Sequence, residues 1–473
     1  MVGEKPGTLQ LSEATPLLHT AARIVSAQEC LQHQHLLRCF VNLKQTVSRK
    51  EGLFRSEHVH DINTEPDQRT RQTIVEERRW SIYVSRAIHR FSVWWTCLRI
   101  LRTPGFLSGQ DTEKPYWTTD RMPPLDILMV LHALTLHSKA FGEDCLRHHK
   151  MALWMEGFPL QLVSQCIDRE SFTYTCSESA KVHFEETNKL AWDNLADPDD
   201  VAIECFRCRQ LTRVPWTTRR QKGLADDKFN QQCQFCKFIL RRDGLLVQKL
   251  RRDVHLLLEE DTPLPGTCRF VGDDGTVAPN NAANELLKQS LGMLLLEETR
   301  PSNLFPDMAE IVEASREAVG EQSLPMLHDV FEHYQYTANS SCDLHAAVMR
   351  VTRVASAVQN VDWSEDDLYG PLLGTRYVRF LREQSKGFRD PAVDSRNGGI
   401  VALVLVWSTH QLGTRSYCAF SRRASNGMLV DWEPAHDSAA CDLCHTLHPP
   451  SFARRFIRGL MSVSVWKDFL SSY

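Results

Sequence analysis

No apolar run in this sequence approaches the roughly 20 residues that a membrane helix needs. The strongest, Ile400 to Trp407, stops far short. The opening residues, Met1 to Leu11, mix Glu4 and Lys5 with polar neighbours and lack the apolar segment of a secretory signal. Neither sign of charge is in large excess. A net charge of −4 excludes a uniformly basic nucleic-acid coat and an acidic tail. Glycine is sparse and spread out, and no GxGxxG turn, P-loop or nucleophile elbow occurs. A convincing pair of catalytic carboxylates is also missing. The expectation is an intracellular chain, cytoplasmic or nuclear, with no membrane segment and no recognisable catalytic grouping.

What is present is helical patterning. At 473 residues the chain is long enough for two to four domains, and 11 Trp with 21 Phe supply large buried surfaces. Thr15 and Pro16 form a helix start, and Leu36, Phe40, Leu43 and Val47 recur at helical spacing. Residues 51–71 are charged and polar, as a loop would be. Thr73 with Glu76 has the form of a capping box. Trp80, Val84, Ala87, Phe91, Trp94 and Leu98 then mark one buried helix face rather than a cofactor box. Asp126, after Pro123 and Pro124, reads as the N-cap of another helix. Residues 193–200 read as a linker, and Gly272 to Gly275 as a hairpin turn. Strands are few, so the fold class is mainly α.

Cysteine is the unusual residue, at 15 per chain. Disulfides are rare inside cells, so buried thiols and metal thiolates are expected instead. Cys205-Phe-Arg-Cys208 and Cys233-Gln-Phe-Cys236 are two CxxC pairs. Each pair sits on a turn whose N–H groups can stabilise thiolates, and two such turns supply the four soft ligands of tetrahedral Zn²⁺. With four protein ligands the zinc has no open position and is structural. Near the C-terminus, Cys441-Asp-Leu-Cys444-His445 matches a haem-attachment pattern, which an intracellular chain would not use. With His448 the same residues are candidates for a second metal site.

The zinc stretch is also locally basic. Residues 204–253 hold 13 Lys or Arg against five acidic residues. Arg242, Lys249 and Arg252 share one face of a following amphipathic helix, opposite Val247, Leu250, Val254 and Leu257. That face is either a nucleic-acid contact through phosphates or a solvated surface balancing an acidic body.

Two stretches resemble one another. Asp126 to Phe141 can be laid over Ala402 to Tyr417, so that Val130 meets Val406, Leu136 meets Leu412, Lys139 meets Arg415 and Phe141 meets Tyr417. Each is an apolar helix, a short break, then an aromatic in the next element, the mark of a duplicated helical unit. The helix from Trp80 to Trp95, the phrase from Pro123 to His132, the pair Asp144-Cys145 and the phrase Trp407-Ser-Thr-His-Gln-Leu412 together resemble the glycine-rich domain-containing-protein-like family of plants and fungi. The likeness is to its fungal branch, which carries a paired CxxC insert before a Leu- and Arg-rich helix, and it runs from about Leu36 into the C-terminal region. The resemblance implies a shared fold and no established catalysis. The family phrase is approximately Asp, then Trp-His-x-His-x-Leu, then an aromatic and Asp. Here the first copy keeps Asp126, His132 and Asp144 but has Leu131 and Leu134. The second keeps Trp407 and His410 but has Ser408, Ala402 and Phe420. The glycine-rich tail is missing, so the RNA association suspected for it does not carry over.

The domains expected are therefore an N-terminal helix and charged loop (1–72), a first helical lobe (73–197), a zinc-binding insert with a basic helix (198–280), and a second, degenerate lobe (281–473). The expected role is a scaffold or protein-interaction module, with protein partners. A nucleic-acid-associated regulator using the basic insert is the alternative. A metal-dependent enzyme using Asp126, His132 and His410 is a third reading. His132 with Asp144, Cys145 or His148 would form a small site, or else these are hydrogen-bonded core side chains.

Overall fold

The computed structural model describes residues 25–54, 67–98, 115–271, 275–296, 308–359, 371–384 and 399–431. Thr15, Pro16 and the cysteines and histidines of 441–448 lie outside these residues. The first helix, α1 (Ala27–Arg49), starts at Ser26, whose hydroxyl accepts from Glu29 N while Glu29 reaches back to Ser26 N. This reciprocal pair satisfies two orphan donors. Leu36, Phe40 and Val47 are buried, as their spacing predicts. The second helix, α2 (Gln68–Cys97), starts earlier than Thr73. Asp67 is its cap and accepts from Thr70 N, whereas Thr73 lies inside the helix and donates to Arg69 O. Asp is as good a cap as Thr, and the polar segment before Thr73 carries no breaker after Pro66. The stripe from Trp80 to Leu98 is buried throughout.

Two helices follow a shared bend. These are α3 (Leu125–Leu136) and α4 (Ser138–Arg147), joined at His137 with φ −95° and ψ 72°. Short helices α5 (Met151–Glu156), α6 (Leu160–Gln165) and α7 (Glu178–Asn188) complete the first half. Among the described residues the strands form three small antiparallel pairs. They are β1 (Asp200–Glu204) with β2 (Leu211–Pro215), β3 (Asn230–Gln232) with β4 (Ile239–Arg241), and β5 (Arg269–Val271) with β6 (Thr276–Ala278). The last pair flanks the turn expected at Gly272–Gly275, of which residues 272–274 lie outside the described residues. Between them runs α8 (Arg242–Glu260), which starts directly from β4. Among the described residues seven helices follow: α9 (Asn281–Leu296), α10 (Met308–Ala318), α11 (Leu324–Glu332), α12 (Leu344–Val358), α13 (Pro371–Gln384), α14 (Gly399–Leu412) and α15 (Thr414–Ala424). The chain is mainly helical, with a small strand region around four cysteines.

The hydrophobic cores do not follow the expected lobes. One core combines α1–α4 with α12–α15, so both resembling stretches face the same interior. In it α1 packs on α2, α12 and α14, and α3 packs on α2, α12 and α14. A second core is built by α8 with α9, α10 and α11. The boundary expected at 280 therefore falls between α8 and α9, which pack directly on each other. Helical periodicity says which face of a helix is apolar and nothing about which distant helix covers it. The 193–200 segment also departs from the linker expectation. Arg86 donates to Asn194 Oδ1 and to the carbonyls of Asn194, Asp197 and Pro198. No described helix is long and apolar enough to cross a membrane.

Candidate metal centre and buried polar residues

The cysteines sit on two turns of the same design. β1 runs into Cys205–Cys208 and out through β2; β3 runs into Cys233–Cys236 and out through β4. In the first turn Cys205 N donates to Gln210 O and Arg209 N to Cys205 O, at 3.0 Å each. In the second Cys233 N donates to Phe238 O at 2.9 Å and Lys237 N to Cys233 O at 3.1 Å. Arg209 and Lys237, each four residues after the first cysteine, both adopt positive φ, 60° and 62°. The turns are locked together where Gln234 N donates to Thr212 Oγ1 at 3.0 Å.

This geometry brings four sulfurs to one point. All lie within 4.8 Å of one another, with Cys205 and Cys236 at 3.6 Å and Cys208 and Cys233 at 3.7 Å. A regular tetrahedron with Zn–S bonds of about 2.3 Å has edges of about 3.8 Å, so the group has the size of a zinc site. Backbone N–H groups already face the sulfurs. N–H donors from Cys236 and Phe235 with the neighbouring thiols outweigh burial and lower the pKa of Cys233, whereas burial raises that of Cys205. A donor set of four thiolates suits Zn²⁺ and leaves no open coordination position. Among the described residues no other group of three or more His, Cys, Asp or Glu is placed to hold a metal.

Little hydrophobic material supports these turns. Val201, Phe206, Val214, Trp216, Phe229 and Leu240 pack with the cysteines and with Ile82 of α2. Arg78 of α2 reaches Asp226 Oδ1 at 2.8 Å and Thr217 Oγ1 at 2.9 Å. On the other side the Phe206 ring lies over Gly244 of α8, 2.3 Å from where a Cβ would stand. The module is thus clamped between α2 and α8.

The residues of the repeat phrase are all in the core, each with a separate structural partner. Asp126 is not a cap: the N-cap is Pro124, and the carboxylate accepts from Arg90 Nε at 2.7 Å and Asn194 Nδ2 at 2.9 Å. Arg90 also binds Asp197 and the Trp192 carbonyl. Asp144 accepts from Ser340 Oγ, Ser341 N and Ser341 Oγ. Trp407 Nε1 donates to Tyr417 OH at 2.7 Å, and His410 Nδ1 lies 3.0 Å from Tyr377 OH. His148 accepts from Trp95 Nε1. None of Asp144, Cys145 and His148 joins His132 in a site.

His132 instead meets His33 of α1, Nε2 to Nε2, at 2.7 Å. Thr409 of α14 donates to Leu405 O at 2.6 Å, so its oxygen accepts from His33 Nδ1 at 2.9 Å. His33 Nε2 is then the acceptor and His132 Nε2 the donor, which leaves His132 Nδ1 a bare lone pair. Burial pushes both rings toward the neutral form, His33 to about 3 and His132 well below 6.5.

The basic trio on α8 is divided. Lys249 is buried, and its ammonium donates to the carbonyls of His333, Tyr336 and Ser340. It cannot contact a phosphate. Arg252 is half exposed and donates to Asn339 Oδ1; Arg242 lies at a cleft between α2, α8 and the metal module. Lys249 reads as surface from sequence because α8 has hydrophobic partners on more than one side.

The sequence reading missed Arg86, Arg90, Arg147 and His33 altogether. Arg147 of α4 is fully enclosed and binds Asp144, Asp253 and the Pro263 carbonyl, joining the two helical cores. Arg86 and Arg90 stand four residues apart beside the aromatic stripe, while residues 193–200 hold four aspartates. That pairing of charges was the available signal.

Fold and site together define a mainly helical protein with a four-cysteine group able to hold a metal such as zinc. Comparison of the chain with family models, with curated proteins and with solved structures finds no match.

Proposed function

We propose that this chain is a zinc-stapled helical scaffold whose metal module docks an acidic, apolar segment of a partner protein. The observation that carries the reading is the outer face of the module. Leu211, Phe235 and Ile239 are 65%, 59% and 45% exposed although each flanks a cysteine turn. Leu211 and Ile239 hold equivalent places, three residues after the second cysteine of each turn. The Gln234–Thr212 bond joins the two turns next to Phe235 and Leu211. On the same module Arg207, Lys228 and Lys237 are exposed, as are Arg209 and Arg213, which pair with Glu204 and Asp200. Exposed apolar side chains on a module with an excess of basic residues suit a partner that is apolar and acidic. Aliphatic Leu and Ile favour protein over a nucleic acid, which would take aromatic stacking platforms. The burial of Lys249 removes the centre of the nucleic-acid face read from sequence.

A structural Zn²⁺ in the four-cysteine group fits this role, as does a reducing compartment, cytoplasm or nucleus, for a chain with so many thiols. The family resemblance is part of the proposal. The internal duplication within it is supported where α3–α4 and α14–α15 bend at the aligned residues His137 and Gly413 with nearly the same angles, −95°/72° and −88°/65°. A duplicated unit would do this.

The test uses zinc-loaded full-length protein and two fluorescent probes, an acidic Leu/Phe-containing peptide and a single-stranded RNA of mixed sequence. The peptide should bind, and Phe235→Ser with Ile239→Ser should weaken it at least about tenfold with zinc content unchanged. RNA binding with a steep salt dependence, or peptide binding indifferent to the double substitution, would overturn the reading.

A further inference from the structure

The two helical cores and the metal module meet around an open cleft of about 1440 Å³. Ser85 and Ser92 of α2 line one wall, Arg242, Gln248 and Arg252 of α8 line another, and the module supplies Trp216. That volume exceeds the roughly 300–1,000 Å³ of a small-molecule pocket. Ten helical residues separate Arg242 from Arg252, a rise of about 15 Å, which is the length of about five residues of extended chain.

The two walls differ in chemistry. On α2, Ser85 Oγ donates to Ser81 O at 3.0 Å and Ser92 Oγ to Ile88 O at 2.9 Å, so each hydroxyl oxygen is left as an acceptor. On α8 the open groups include strong donors. Among the described residues Arg242 and Gln248, both partly buried, have no hydrogen-bond or ion-pair partner. Arg252 is half exposed and gives one N–H to Asn339, while the nearby Asp253 is already held by Arg147 and Tyr334. Two carboxylates of the cleft are engaged as well: Glu204 pairs with Arg209, and Asp343 accepts from His345 N and Ala346 N. That leaves Asp227 against Arg242, Arg251 and Arg252. Acceptors on one side and cations on the other match a peptide, which brings backbone N–H groups and acidic side chains. A polyphosphate has no donor for the serine wall.

We propose that the cleft holds the acidic part of the partner segment in extended form, with two carboxylates set on Arg242 and Arg252. Residues i and i+4 of an extended chain lie about 13 Å apart on one face, close to the rise between the two arginines, so the acidic residues stand four apart. The assignment rests on the docking proposed above and gives the partner a path. Glu204, which lines the cleft, is paired with Leu211 across β1 and β2, so the exposed apolar face and the cleft adjoin. The partner's apolar residues cover Leu211, Phe235 and Ile239, and its acidic residues enter between α2 and α8.

The experiment uses zinc-loaded full-length protein and fluorescent peptides that join a Leu/Phe portion to two glutamates four residues apart. Changing both glutamates to glutamine should weaken binding at least about tenfold, as should Arg242→Glu in the protein. Lys228→Glu, on the module but outside the cleft, should change it less than about twofold, and a loss equal to that of Arg242→Glu would refute the site. A peptide with lysine at both places should bind the Arg242→Glu, Arg252→Glu double variant better than it binds wild type, a rescue that a folding defect does not produce. If that variant fails to fold, the glutamine peptides on wild-type protein decide. Binding that Phe235→Ser with Ile239→Ser abolishes, but that is indifferent to the glutamine change, overturns the cleft and leaves the docking face standing. No binding by any peptide overturns both. Displacement of the peptide by tripolyphosphate, at an ionic strength where sodium chloride has no effect, would assign the cleft to a small polyanion instead.

Discussion

The metal module and the helical body are ordered by opposite means. The module has strands of three to five residues and buries only a handful of apolar side chains about its cysteines. A core that small does not hold a fold by itself, and the missing stabilisation has to come from a ligand. The body has hydrophobic material in quantity and uses part of its interior for charge. Arg90 and Asp126 are both about 98% buried, as are Arg147, Asp144 and Asp253. Buried ion pairs of this kind add little net stability compared with apolar packing, but a half-broken pair is severely unfavourable. On the proposed reading the module depends on one metal ion, and the body depends on no charge being left alone.

Metal removal tests that contrast most strongly. Structural zinc sites bind with about 10–16 kcal/mol, which becomes folding free energy of the module. Chelation, Cys205→Ser or Cys233→Ser should lose the single zinc equivalent and expose Trp216, seen as a red shift in its fluorescence. Far-UV helicity should stay close to that of the loaded protein, because the helices of the first core do not use the cysteines. A cooperative loss of all helicity with the metal would erase the distinction between the two regions.

The next effect belongs to the body. Arg90→Met strands Asp126 and Asp197 inside, and the expected cost is about 3–5 kcal/mol in urea unfolding. Asp126→Leu added to Arg90→Met should recover part of it. If the single substitution costs less than about 1 kcal/mol, the interior charges are not the constraint described.

These two regions were not equally legible. The CxxC pairs state their chemistry in residue type and spacing, and the turns, the sulfur cluster and the flanking strands follow. The stripe from Trp80 to Leu98 and the buried face of α1 were equally plain, because a period of 3.6 shows in one segment. The rest depended on partners far apart in the chain. Nothing near His132 points to His33, nothing near Lys249 says that three carbonyls from another loop surround it, and the pairing of α8 with α9–α11 crosses an expected boundary. Local pattern identifies faces, whereas long-range packing decides which charged and polar side chains end inside.

Acid should act on the body through its buried histidines. His33 and His410 are held at about 3, both by burial, and His132 is lowered as well. The folded pKa values lie below the unfolded value near 6.5, so the unfolded chain binds more protons in between. This stability is complete above about pH 6.5 and is lost as pH falls toward 3, by up to about 1.4 kcal/mol per pH unit for each ring. Urea midpoints measured between pH 7 and 4.5 check the slope. His410→Phe should flatten it, and an unchanged slope would show that these rings do not control acid stability.

The smallest effect lies at the N-terminus of α2, the helix that belongs to both regions. Its stripe enters the first core, while Arg78 and Ile82 hold the module. Asp67→Ala removes a cap bond to Thr70 N and should cost about 1 kcal/mol. Thr73→Ala removes a hydroxyl that only donates to Arg69 O within the helix, so it should cost under about 0.5 kcal/mol. Both substitutions sit before Arg78, so neither should alter zinc content, and the difference between them appears only as a shift in the thermal midpoint. A larger loss from Thr73→Ala would mean that the helix starts at the capping box read from sequence after all. The module would then be clamped by the first turns of a shorter helix, and its dependence on the metal would be greater still.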